Sequence, residues 1–200
     1  MIFYLTCSCI GAMLIVAALR VSSCSTPRLG RGFFYVDGFN LYYSLIACSK
    51  ADPTNACFKW FDLYTFLTNF LRKDGSEQLG DIYYFSAYFP WDATRQPFAD
   101  DPSKEARHKI YRKALESYGI HTIFGYFRKK RLFGPHSGKH FEVPEEKQTE
   151  VSIAVSIVRD AALDRFDKGI LISGDTDFLP VFFSLTSVRI NKCRIMLISI

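Results

Sequence analysis

Short apolar runs alternate along this chain with stretches whose apolar positions recur every three or four residues. Runs of four to eight apolar residues closed by a turn signal read as buried strands, and the 3.6-residue recurrence reads as helices packed on them. Residues 33–37 form the first strand of the body, ending on Asp37, with Asn40 placed to cap the helix that starts at Leu41. Leu63, Phe66, Leu67 and Phe70 put one apolar face on a helix over 62–72. An aromatic strand follows over 81–89, then a basic helix over 103–118 stopped by Gly119, then a strand over 120–126. The longest helix is expected over 145–163, with Val151, Ala154, Val155 and Val158 as its apolar face. A strand over 167–172, a helix over 178–188 and a strand over 194–200 complete the series, with loops at 49–58, 90–102 and 134–144. Strands alternating with helices predict an α/β fold on a parallel sheet with right-handed crossovers. The chain stops on what reads as a buried strand, so a C-terminal helix is expected to be missing.

Ahead of this body, residues 1–31 make an apolar extension with a Ser/Cys/Pro/Gly-rich end. Three readings stay open: a secretory or lipoprotein-like leader lacking the usual positive start, a single membrane anchor, or an upstream extension from a misassigned start. Residues 32–200 then form one domain, sized for a full core. The six cysteines contain no Cys-x-x-Cys pair, which excludes a zinc ribbon or a dithiol redox motif and fits a reducing, cytoplasmic compartment. Net charge is +5, but it is concentrated: residues 104–147 hold 11 Lys/Arg against 5 Asp/Glu. A basic surface beside acids suits a polyanion, with an ordinary solvated face as the competing reading.

The acids supply the chemistry. Asp37 ends the first strand, and Asp175 and Asp177 follow the strand at 170–172 through Ser173-Gly174. Glu150 lies in the first turns of the long helix, three residues after Lys147. Ligands of open α/β sheets bind beyond the carboxyl ends of the strands, where all four acids fall. Acids crowded there repel one another unless a cation lies between them, and carboxylates are the donors that hold Mg²⁺ or Mn²⁺. The pattern points to metal-assisted phosphodiester hydrolysis, with side-chain oxygens expected within about 5 Å of a common point. A plain turn capped by Asp175 is the competing reading.

Four blocks in order carry a family resemblance: Phe34-Tyr-Val-Asp-Gly-Phe-Asn-Leu-Tyr-Tyr43, Gly125-Tyr-Phe-Arg-Lys129, Glu146-Lys-Gln-Thr-Glu-Val151, and Arg165-Phe-Asp with Ile170-Leu-Ile-Ser-Gly-Asp-Thr-Asp-Phe178. Together they resemble the NYN-domain proteins, the LabA-like branch of the PIN-like ribonucleases, over about residues 33–200. The resemblance implies a Rossmann-like three-layer sandwich with a mainly parallel central sheet, and a metal-dependent endoribonuclease acting on RNA. It implies Asp37, Glu150, Asp175 and Asp177 as catalytic acids and Mg²⁺ or Mn²⁺ ligands. Asn40 would orient groups at the first strand end, while Lys147 and Ser173 would support the ligands or contact phosphate. Two departures stand out: Glu150 replaces the usual Asp, and Gly134-Pro-His-Ser-Gly-Lys-His140 stands where many relatives carry Cys-x-x-Cys.

Arg128, Lys129, Lys130 and Arg131 are the expected RNA-backbone contacts. His136 and His140 without softer ligands make a poor zinc site and read as solvated loop residues. Asp160 is a weak ligand candidate, ten residues beyond Glu150. Tyr42/Tyr43 and Tyr83/Tyr84 read as core before base-stacking residues. No Gly-rich nucleotide loop is present, so no organic cofactor is expected. A homo-oligomer is compatible with the sequence, and membrane association is expected only if the N-terminal segment is genuine. Two alternatives compete with the nuclease: a non-cleaving RNA-binding or regulatory module on the same fold, and a phosphatase acting on small phosphoesters.

Overall fold

The structure is a computed structural model describing residues 2–6, 13–17, 29–51, 61–87, 103–136, 138–187 and 194–198. Much of the expected loops at 49–58 and 90–102 lies outside the described residues, as do all the cysteines except Cys48.

Two strands, β1 (Ile2–Thr6) and β2 (Met13–Ala17), pair antiparallel near the N-terminus, and β2 lies beside the last strand of the body. Among the described residues no helix is long and apolar enough to cross a membrane. The body then runs β3 (Gly30–Asp37), α1 (Gly38–Ala51), α2 (Leu63–Thr68), β4 (Glu77–Ala87), α3 (Ser103–Ser117), β5 (His121–Gly134), β6 (Lys139–Lys147), α4 (Thr149–Ala162), β7 (Lys168–Ile172), α5 (Leu179–Ser187) and β8 (Arg194–Ile198).

The body is α/β on a mixed, six-stranded sheet ordered β6-β5-β4-β3-β7-β8. Four pairings are parallel, and the β5–β6 edge is an antiparallel hairpin. Successive strand residues point to opposite faces, so β3 feeds two cores. Phe33 and Tyr35 pack with Ile153, Ile157 and Ala161 of α4 and Phe182 and Leu185 of α5. Phe34 and Val36 pack with Leu41, Leu63, Leu67 and Leu115 from α1, α2 and α3. From Phe33 to Val36 no residue exceeds 5% exposure, which explains the unbroken apolar run of this strand.

The order of strands fixes the location of a site. From β3 the chain moves to β4 and β5 on one side, then returns through α4 to β7 on the other side of β3. The direction of winding reverses between β3 and β7, and at such a reversal a crevice opens beyond the carboxyl ends of the two strands.

Several expected elements differ. Residues 134–144 are not a loop: β5 continues to Gly134 and turns within four residues into β6, which runs to Lys147. The helix expected from 145 therefore starts at Thr149, and among the described residues α3 is the longest helix instead. Gln148 makes the change of direction with a left-handed backbone (φ 78°) and no side-chain cap. The core face of α4 is Ile153, Ser156, Ile157, Asp160 and Ala161, while Val151, Val155 and Val158 are exposed. Both faces carry apolar residues, so periodicity alone selected the wrong one. Asn40 does not cap α1; Asp37 does.

Candidate active site

Asp37 closes β3 and is 3% exposed. Its Oδ1 accepts from the backbone N–H groups of Phe39 (3.2 Å) and Asn40 (3.1 Å), which makes it the N-terminal cap of α1. Its Oδ2 accepts from Asn40 Nδ2 and from Ser173 Oγ at 3.0 Å. Four donors match the roughly four acceptor positions of a carboxylate, so the Asp37 side chain is fixed in orientation. Gly38 lets the chain turn away at once, since a Cβ there would stand 2.6 Å from the Phe85 carbonyl oxygen.

Ser173 is fully buried at the end of β7, and its hydroxyl faces both ways. It donates to Asp37 and accepts from the Asp175 N–H at 3.1 Å. One side chain thus joins the ends of the two strands flanking the crevice. Asp175 then caps a single 3-10 turn over Thr176–Phe178, its Oδ1 accepting from the Asp177 N–H at 2.9 Å. The capping turn and the acidic pair are the same structure, because Phe178 must enter the core beneath α5 while its polar neighbours stay outside.

Glu150 lies in the first turn of α4, where a carboxylate complements the helix dipole. Burial pushes its carboxyl above the ordinary 4.5, and Asp175, Asp177 and Asp37 push it further in that order. Glu146 is a fifth acid at this edge: burial raises its carboxyl, a hydrogen bond from Thr149 partly offsets the rise, and Asp37 and Glu150 add to it. Its Oε1 and the Thr149 hydroxyl are both buried, and the hydroxyl acts on this carboxylate. Sequence reasoning gave Glu146 no role because it was placed on a helix, and residues 139–147 carry no clear strand pattern that would have found it.

The structure therefore brings Asp37, Glu150, Asp175 and Asp177 to one sheet edge, within electrostatic reach. As the side chains lie, no three of the described His, Cys, Asp or Glu residues converge on a metal-binding point. The donor set still fits a hard divalent cation: it is all oxygen, and its crowded negative charge raises the Glu150 and Glu146 carboxyls.

Lys147 does not share a helix face with Glu150. It ends β6, where its Nζ lies 3.1 Å from Glu145 Oε2. Arg128, Lys129, Lys130 and Arg131 are exposed on β5 and face β6. Lys129 and Arg131 pair with Glu142 at 3.8 and 3.4 Å, and Lys130 with Glu145 at 3.1 Å. Arg128 has no carboxylate at ion-pair distance among the described residues. Exposed pairs of this kind are worth about 0–1 kcal/mol.

Asp160 is 0% exposed and turned away from this edge, holding the Tyr35 hydroxyl (3.0 Å) and the Arg159 and Arg165 guanidiniums (2.9 Å each). Asp167 receives the Arg31 backbone and guanidinium, tying the α4–β7 junction to the start of β3. Tyr83 and Tyr84 are core, as expected, but Tyr42 and Tyr43 are 51% and 65% exposed. His136 and His140 are exposed, and His140 rests on the Phe133 ring.

An acidic crevice thus lies at the strand-order reversal of an α/β sheet, with a basic hairpin beside it. The NYN domain family matches residues 34–199, and the chain belongs to that family, whose α/β fold is PIN-like. The family is nuclease-like and points to RNA as substrate. Among curated proteins the chain is similar to the 6-hydroxy-3-succinoylpyridine 3-monooxygenase HspA of Pseudomonas putida, 25% identical over 186 residues, covering 78% of this chain and 57% of that protein. The chain thus spans little more than half the length of that relative. Among solved structures it is similar to a protein of unknown function from Vibrio parahaemolyticus, with TM-score 0.47 and 18% identity, covering 84% of this chain and 81% of the other.

Proposed function

We propose that this chain is a metal-dependent endoribonuclease of the LabA-like branch, built on a Rossmann-like three-layer sandwich. The observation that carries the reading is the Ser173 hydroxyl, which joins Asp37 to the Asp175 turn across the β3–β7 crevice. Asp37, Glu150, Asp175 and Asp177 would hold Mg²⁺ or Mn²⁺, with Glu146 alongside. Such an ion supplies an activated water and stabilises charge on the phosphate.

The chain's own residues set the conditions for that chemistry. Asn40 and Ser173 hold Asp37 oriented. The 3-10 turn presents Asp175 and Asp177 on the outer side of the crevice. Glu150 and Glu146, with raised carboxyls, accept a proton more readily than ordinary acids and release it when positive charge approaches. Arg128 to Arg131 hold the RNA backbone along the hairpin. The 6-hydroxy-3-succinoylpyridine oxidation named for the Pseudomonas relative is not carried over, because no residue here singles out that substrate.

A second reading is a non-cleaving RNA-binding module, favoured by the saturation of Asp37 by four donors. Nuclease assays on labelled RNA with Mn²⁺ and with EDTA separate the two, alongside thermal melting with and without Mn²⁺. Mn²⁺ should raise the melting temperature of the wild type and allow cleavage, and Asp175→Asn with Asp177→Asn should remove both effects. Cleavage that survives in the double variant would end the nuclease assignment to this site.

A further inference from the structure

A line of aromatic rings leaves the acidic crevice, and nothing in the hydrolytic chemistry calls for it. It starts at Phe39, whose N–H is held by Asp37. The Phe127 ring of β5 meets Phe39 edge-on at 5.9 Å. One helical turn on, Tyr43 stacks with Phe39 at 6.5 Å and 25° between planes, as an i, i+4 pair does on a helix. Tyr42 closes the line against Tyr43 at 5.5 Å. The inner rings are partly buried, while Tyr42 and Tyr43 stand mostly in solvent. Exposed tyrosines beside one another on the first turns of a helix contribute little to the core.

The surroundings say what covers them. Side chains alternate along β5, so Lys129 and Arg131 share the face of Phe127. Both lean on one carboxylate, Glu142, at the outer end of that face, while Glu146 stands opposite Phe127 at the end nearer the crevice. Acids at the inner end, rings outward and cations alongside match a ligand with a phosphate at the reacting end, flat bases and a charged backbone. A protein partner would need the rings but not their start at Asp37. Bases in a duplex are stacked inside and present no free face, whereas unpaired bases stack readily on aromatic side chains.

We propose that Phe127, Phe39, Tyr43 and Tyr42 form a base-stacking platform that adds affinity for unpaired RNA at this site. The proposal rests on the nuclease reading for the place of the scissile bond, while base binding is measured without cleavage. The test is fluorescence anisotropy in EDTA with a labelled oligouridine, and separately with a blunt A–U duplex. Tyr43→Ala should weaken oligouridine binding about five-fold or more, the factor given by a stack of ~1 kcal/mol, and leave duplex binding unchanged. Tyr43→Trp should restore it, and Phe127→Ala should repeat the loss. Arg131→Ala should weaken both ligands and lower the salt dependence. Wild-type failure to bind oligouridine, equal loss for strand and duplex, or no loss in Tyr43→Ala would overturn the platform. A protein that binds oligouridine through Tyr43 but shows no Mn²⁺-dependent cleavage keeps the platform and loses the nuclease reading.

Discussion

Ser173 Oγ lies 3.0 Å from Asp37 Oδ2 although the two residues are 136 positions apart. Both are buried, and the same hydroxyl accepts from the Asp175 N–H. β3 and β7 are neighbours in register up to Val36–Ile172, so Asp37 and Ser173 are the next residues on two strands already locked together. The sheet places the contact, and the contact orients the acids beyond it.

Replacing Ser173 by Ala removes a donor from a buried carboxylate and an acceptor from a backbone N–H. A loss of about 1.5–3 kcal/mol is expected, the usual worth of a hydrogen bond to a charged group. Urea denaturation measures it. The turn at 175–177 should loosen at the same time, read as faster amide exchange at Asp175 and Asp177. An unchanged unfolding midpoint with unchanged exchange would refute the coupling.

Glu150 carries a stability signature of its own. Its carboxyl is raised in the folded state, so the native protein binds more protons than the unfolded chain between 4.5 and the raised value. Stability therefore falls as pH rises through that window, in the absence of divalent cation. Glu150→Gln should match the wild type below 4.5 and be the more stable of the two at neutral pH, by a small margin because the side chain is exposed. Chemical denaturation at both pH values checks the sign. A Gln variant that is less stable at neutral pH would show that Glu150 is held by attraction rather than repelled.

The buried strands and their terminal acids were legible in the sequence because they are dictated locally. Phe33–Val36 and Ile170–Ile172 are apolar without interruption, and only a two-sided core accepts such runs. The hairpin was not legible. Residues 139–147 contain Pro144, two adjacent glutamates and little apolar alternation, and they form a strand because β5 offers an unpaired edge. That override of local preference by sheet pairing moved Lys147 and Glu146 from a helix to a strand end. The valines of α4 misled for the opposite reason: they form a regular stripe, but Ser156 and Asp160 take core positions because Asp160 is needed by Tyr35 and two arginines.

Asp160 separates structural acids from site acids. Burial, then the Asp160 charge and hydrogen bond, keeps the Tyr35 hydroxyl protonated as a donor. Asp160→Ala strands that hydroxyl and releases two guanidiniums that reach solvent. The expected cost is about 2–3 kcal/mol, below that of a fully buried pair because both arginines are partly exposed. Metal-induced stabilisation should persist in the folded fraction. Loss of the Mn²⁺ shift in a variant that remains folded would move Asp160 into the site.

The junction between β6 and α4 can be tested without touching an acid. A Cβ on Gly125 would stand 2.6 Å from the Lys147 carbonyl oxygen and 2.7 Å from Thr149 Oγ1. Gly125→Ala must therefore push Lys147–Thr149 off β5, and Glu146 and Glu150 flank that segment. Overpacking of this kind costs about 1–3 kcal/mol, and here it also misplaces two of the five acids. Gly119→Ala is the matched control: its φ of +77° strains any side chain, but nothing lies within 4 Å and no acid depends on it. Both variants should lose stability in urea, and only Gly125→Ala should also lose the Mn²⁺-dependent rise in melting temperature. Equal retention of that rise in the two variants would mean that Glu146 and Glu150 do not hold the ion.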